Sequence, residues 1–168
     1  MDDLEQPISF ADGPLGGAGG VENTGGVDDL LFADPSYRAA VVDLLGALAY
    51  GELTAFSRLA ADADMAPSQP AKAALARVAV AEFHHYDRLT VRLTEMDVDP
   101  DVAMEPFIAP IDQFHERTKP GSWLEGLVKA YVGDGIATDF YREISAYVDS
   151  STQTLVRSVM EDVGQAEF

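Results

Sequence analysis

An all-α fold, an antiparallel bundle of four long helices with a long crossover between the second and third, is what the 168-residue sequence predicts. Three observations carry this. Apolar residues recur at steps of three and four over four segments, near 35–64, 70–96, 122–147 and 151–168. A capping residue opens most of these segments, and prolines crowd the connections, above all residues 97–121.

Residues 1–33 hold seven of the fourteen glycines, with Pro7, Pro14, several acids and no apolar period, so a flexible tail is expected ahead of a bundle domain over 34–168. Its irregular glycines follow no strand and precede no Lys-Ser or Lys-Thr, which argues against a phosphate-binding loop. Asp34-Pro35-Ser36 then starts a helix with a capping carboxylate and proline at the first helical position. Val41, Leu45, Leu48, Ala55 and Leu59 form its seam.

The short connection from Met65 to Pro70 makes the first two helices antiparallel neighbours. Ala71, Leu75, Val78, Leu89 and Met96 mark the inward row of the second. Between them and the third helix stand Pro100, Pro106, Pro110 and Pro120, so one or two short helical pieces are expected around 103–108 and 111–117, with His115 a surface residue of no assigned role. Ser122-Trp123-Leu124-Glu125 is a capping box. In the helix it opens, Leu127, Tyr131, Asp134, Thr138 and Tyr141 share one stripe, and Val128, Val132, Gly135 and Asp139 the next. Asp149-Ser150-Ser151 caps the fourth helix, whose seam runs Leu155, Val159, Asp162 and then Gln165 or Ala166. The chain stops at Phe168 in mid-pattern, and a truncated C-terminus is expected.

Composition narrows the chemistry. With 47% apolar residues the chain can bury one ordinary domain core. Cysteine is absent, which excludes disulfides, thiolate zinc sites and cysteine nucleophiles. No uninterrupted run of about 18 apolar residues occurs and the N-terminus lacks a basic-then-apolar signal pattern, so a cytoplasmic protein without a membrane partner is expected. Lys plus Arg at 11 against Asp plus Glu at 29 gives a net charge of −18, which repels phosphate backbones and disfavours nucleic acid.

Polar residues interrupt the apolar rows at a few places. Glu82 and His85, three apart in Ala81-Glu82-Phe83-His84-His85-Tyr86, fill the gap in the second helix's inward row, and a Glu-x-x-His pair so placed is half of a carboxylate-bridged two-metal site. His84 falls instead on the solvated row of Arg77, Ala81 and Arg88. Glu52 lies inside the first helix's seam, where a carboxylate is costly unless a metal or an arginine of a neighbouring helix compensates it. On the third helix either Asp134 or Asp139 faces inward. Gly133 and Gly135 each weaken that helix by about 1 kcal/mol, which fits close approach by a backbone or a bound ion, or else a simple kink. Asp162-x-x-Gln165 takes the place of a second Glu-x-x-His.

The order Glu52, Glu82-x-x-His85, an acid on the third helix, then Asp162-x-x-Gln165 resembles the ferritin-like di-iron proteins. Leu48-Ala49-Tyr50-Gly51-Glu52-Leu53, Glu82-Phe83-His84-His85-Tyr86 and Val132-Gly133-Asp134-Gly135-Ile136-Ala137-Thr138-Asp139-Phe140-Tyr141-Arg142-Glu143 are similar to actinobacterial ferritin-like proteins grouped with tRNA 2-methylthio-N6-hydroxyisopentenyladenosine hydroxylase, from about residue 35 to the end. The resemblance implies two non-haem irons that activate dioxygen for C–H hydroxylation, held by a Glu from each of the first and third helices and a Glu-x-x-His from each of the second and fourth. Carried onto this chain, it implies Glu52, Glu82, His85, Asp134 and Asp162 as ligands, with Asp139 the alternative to Asp134 and Gln165 where the family has histidine. A neutral amide oxygen is a weaker iron ligand than imidazole, so one metal position is expected to be weak or empty.

Two functions of different class follow. One is a di-iron oxygenase or oxidase of hydroxylase type acting on a small or apolar substrate, with tRNA discounted on charge. The other is a metal-depleted bundle serving as a binding or oligomerisation module, with a homodimer as the candidate assembly. Iron storage would require a shell, on which the sequence is silent.

Overall fold

Side chains begin each long helix by taking up backbone N–H groups that the helix leaves unpaired. The computed structural model describes residues 25–163, apart from the side chains of Val27, Asp29 and 160–163. Six helices are present there: α1 (Gly25–Phe32), α2 (Pro35–Asp62), α3 (Gln69–Glu95), α4 (Pro100–Arg117), α5 (Trp123–Ile144) and α6 (Ser150–Val163), with a 3-10 turn at Ala63–Met65 and no strand among the described residues. The Asp34 carboxylate accepts from the Ser36 amide at 2.8 Å to open α2, and Ser68 accepts from the Ala71 amide at 3.3 Å to open α3. Asp99, Ser122 and Asp149 do the same for α4, α5 and α6.

The bundle is all-α. Helices α2 and α3 form the most extensive pair, α6 packs on both α3 and α5, and α5 closes against α2. The crossover α4 lies on α2 outside these four, where Gly46 permits close approach: a β-carbon there would stand 2.1 Å from the Ala103 carbonyl oxygen. Residues from α2, α3, α4, α5 and α6, including Leu45, Leu89, Met104, Tyr141 and Val156, fill the larger apolar core. Leu59, Ala63, Leu75 and Ala79 make a smaller one toward the α2–α3 turn. Glu52, Glu82 and His85 stand in the sequence gaps between these two cores on both helices.

Three expectations need correcting. The crossover is one continuous helix rather than short pieces, although Pro106 and Pro110 lie inside it. Each proline frees the carbonyl four residues back, at Val102 and Pro106, and these positions share an exposed face where water can serve the freed groups. Residues 25–32, read as part of an irregular tail, form α1. Phe32 packs edge-on against the Tyr37 ring at 5.7 Å and beneath the Arg92 guanidinium, while Asp28 accepts from the Ser150 amide at 3.3 Å. Those contacts outweigh the poor helix propensity of Gly25 and Gly26. Among the described residues nothing lies within 4 Å of a β-carbon built on Gly133 or Gly135, so no backbone approaches closely there and α5 runs on through both. Residues 1–24, and the last part (164–168) of the fourth helix expected over 151–168, lie outside the described residues.

The chain leaves α3 by a turn that no sequence signal announced. Asp97 takes a left-handed conformation (φ 55°), the Val98 amide bonds the Leu93 carbonyl at 3.0 Å, and Val98 packs on the core. This is a Schellman ending with aspartate where glycine is usual. By length and composition the stretch Pro35–Met65, which is α2 and its 3-10 turn, is long and apolar enough to cross a membrane, on a window of about 18 residues with mean hydropathy 1.4. In the fold it is the central packing element, flanked by α3 and α4.

Gly46→Ala is therefore expected to destabilise the protein by roughly 1–3 kcal/mol, since it is the α4 backbone that must yield. Gly135→Ala, in open space, should stabilise it by roughly 0.5–1 kcal/mol. Paired urea titrations read both, and a Gly46→Ala protein as stable as wild type would contradict the α2–α4 contact.

Candidate metal centre

Helices α2 and α3 run antiparallel, and their mid-points bring three ligand-type side chains together. Ligand atoms of Glu52, Glu82 and His85 all lie within 4.8 Å of one another. His85 Nδ1 is 3.4 Å from Glu82 Oε2 and 3.5 Å from Glu52 Oε2. These are charge contacts rather than hydrogen bonds: neither ring nitrogen of His85 has a hydrogen-bond partner among the described residues, although its side chain is only 1% exposed. Buried polar atoms are rarely left so. The spacing suits a shared cation, because ligand atoms bonded at about 2.1 Å in a tetrahedral arrangement stand about 3.4 Å apart.

The fourth polar group at the centre comes from α5. Tyr141, buried on the larger core, donates its hydroxyl to Glu52 Oε1. Among the described residues no arginine reaches Glu52; Arg58 pairs with Glu116 at 3.7 Å and Arg142 with Asp139 at 2.6 Å.

Charge in the metal-free centre is shared unequally. Burial works to raise Glu52, but His85, Glu82 and Tyr141 together hold its carboxyl below the usual range. Burial first, and then the Glu52 charge, push Glu82 up to about 7. Burial acts to lower His85, and the two carboxylates overcome it and raise the imidazole to about 9. Tyr141 is driven well above its ordinary value by burial and by the Glu52 charge, so its hydroxyl stays a donor.

The remaining candidates sit elsewhere. Asp134 is exposed, two turns before Tyr141 on the same α5 stripe; partial burial and then the Glu52 charge raise its carboxyl. Asp139 is exposed and held by Arg142. His84 is exposed, and His115 on α4 is outside the cluster. Asp162 falls in the last turn of α6, where no side chain is described, and Gln165 lies outside the described residues. Tyr141 went unread as a site residue. Its signal was its place seven residues after Asp134 on the inward stripe, where a tyrosine reads as core.

The three donors fit a divalent metal: two carboxylates and an imidazole that converge, Glu52 and His85 buried and Glu82 partly so, with the imidazole lacking a hydrogen bond among the described residues. Fold and centre together define a ferritin-like helical bundle with a carboxylate–histidine group that could hold a metal. Residues 35–168 match the family described as "Ferritin-like domain, actinomycetes", and the chain belongs to that family. A comparison with curated proteins gives no match.

Glu82, raised from 4.5 to about 7, and His85, raised from 6.5 to about 9, bind protons more tightly folded than unfolded. The stability they contribute is complete below the unfolded values and is lost as pH rises through the folded ones. Metal-free protein should therefore lose melting temperature between pH 4.5 and about 9, and Glu82→Gln should flatten the part below about 7. Parallel curves for the two proteins over that lower range would show that Glu82 is not perturbed.

Proposed function

We propose that this chain is a ferritin-like metalloprotein in which Glu52, Glu82 and His85 hold iron, and that it works as a hydroxylase-type oxidoreductase on a small molecule. The observation that carries this reading is His85, a buried imidazole beside two carboxylates, neither of whose nitrogens has a hydrogen bond among the described residues. Bound iron would supply dioxygen activation and oxidation of a C–H bond. The chain's own residues do the rest. Glu52 stays ionised on the dry side of the centre, tied by Tyr141. Glu82, whose side chain is 13% exposed, forms the side nearer solvent and exchanges a proton close to neutrality, the range suited to proton transfer. His85 gives up a proton to become a neutral ligand, so metal binding should tighten as pH rises.

In this proposal the second metal position of the di-iron pattern would fall to Asp134, Asp162 and Gln165. Asp134 is exposed, and a glutamine is a poor iron ligand, so the Glu52–Glu82–His85 position is the tighter of the two. The substrate is neutral or cationic rather than a polyanion such as tRNA, because a net charge of −18 opposes phosphate.

One observation favours the module reading instead. Leu124, Val128, Tyr131, Val132, Ile136 and Phe140 are all exposed on α5, an apolar outer face suited to a second copy of the chain.

Metal analysis of protein purified with ferrous iron separates these readings. Wild type is expected to retain at least one iron per chain, and His85→Ala and Glu82→Gln to lose most of it. Iron-free wild type whose melting temperature does not respond to added iron would remove the enzyme reading. Self-association in that case would support the module.

A further inference from the structure

We propose that Tyr141 is a positioning residue of the metal centre: by holding Oε1 of Glu52 it leaves Oε2 as the one oxygen that Glu52 offers to a cation. The proposal rests on the metal reading of the Glu52–Glu82–His85 cluster. Its ground is the way the two oxygens of one carboxylate are divided. Oε1 accepts the Tyr141 hydroxyl, whereas Oε2 is the atom that stands 3.5 Å from His85 Nδ1. The tyrosine arrives from α5, 89 residues away in sequence, and is itself buried, so neither partner can exchange the bond for water.

Helix α5 thus enters the centre with a neutral donor, while its carboxylates Asp134 and Asp139 remain exposed. A carboxylate with one oxygen occupied by a phenol ligates through the other, and its rotamer is fixed before any metal arrives. Such supporting hydrogen bonds are worth roughly 10–100-fold in metal affinity. A buried phenol needs some acceptor in any case, and a purely structural bond would be indifferent to metal. The test has to read the metal itself.

Cobalt(II) is a suitable probe, because its visible absorption is intense at low coordination number and weak at six. Full-length metal-free wild type and Tyr141→Phe are titrated with Co2+, and each is melted with and without it. The expected result is that Tyr141→Phe binds about tenfold more weakly, with a weaker band as the freed Oε1 joins the metal. An infrared difference spectrum of wild type on adding Co2+, assigned with Glu52→Gln, supplies a second reading that does not depend on the variant folding. A wide splitting of the Glu52 carboxylate stretches, the mark of one-oxygen ligation, is expected; a narrow one overturns the proposal. Equal affinity and an unchanged band in Tyr141→Phe would also overturn it while leaving the metal centre standing. Wild type that binds no Co2+ and no iron overturns the metal reading, and this proposal with it.

Discussion

Glu52 is a carboxylate on the most apolar long helix of the chain, buried to 6% exposure between two hydrophobic cores. An isolated ionised group in such a place costs many kcal/mol, and the usual outcomes are pairing, a shifted pKa or a bound cation. The surrounding structure answers that cost from two other helices. His85 and Glu82 face it from α3 and Tyr141 from α5, so the centre doubles as the polar seam that joins the α2–α3 pair to the rest of the bundle. The helices bring a histidine rather than an arginine, and that choice has a chemical consequence. A guanidinium would satisfy Glu52 permanently, whereas an imidazole can release its proton and become a ligand.

Small residues and caps put these helix mid-points at one level. Because Gly46 lets the α4 backbone touch α2 at Ala103, the crossover stays on the outside and leaves the inner faces of α2 and α3 to each other. At the far end Asp149 caps α6 while receiving the Tyr37 hydroxyl at 3.3 Å, which fixes where α6 begins relative to α2. The candidate ligand set is thus carried by helices rather than loops, and its geometry depends on inter-helix spacing.

Much of this was legible in the sequence because helical period is a statement about direction. Steps of three and four put Glu82 and His85 on the inward row and His84 off it, and the buried and exposed histidines follow that assignment. Direction does not say what stands opposite. Asp134 lies on the inward stripe of α5 and is nonetheless exposed, since among the described residues nothing packs close to the adjoining glycines. Tyr141 on that stripe looked like ordinary core, and only the fold reveals that its hydroxyl ends on a carboxylate 89 positions earlier. The prolines of α4 misled for a different reason. Proline costs a helix most where the freed carbonyl is buried, and the sequence does not show that Val102 and Pro106 face solvent. α1 escaped notice because its helicity comes from contacts with Tyr37, Arg92 and Ser150 rather than from its own residues.

If the candidate group holds a metal, the protonation pattern links folding to metal binding. In the metal-free bundle the imidazolium of His85 is the counter-ion that lets Glu52 stay ionised, while Glu82 holds its own proton up to about 7. Glu52, Glu82 and His85 would hold a divalent cation in place of those protons, and the cation would supply the same two positive charges. Both states are neutralised, so a bundle of this kind can fold first and load metal later. Structural zinc sites differ, since their ligands have no folded arrangement until the metal is present. The under-bonded imidazole is the feature that separates the two occupants. As a proton carrier His85 makes only imperfect charge contacts, and as a ligand one of its ring nitrogens would have a full bond, which gives the cation its advantage once pH is high enough for the proton to leave.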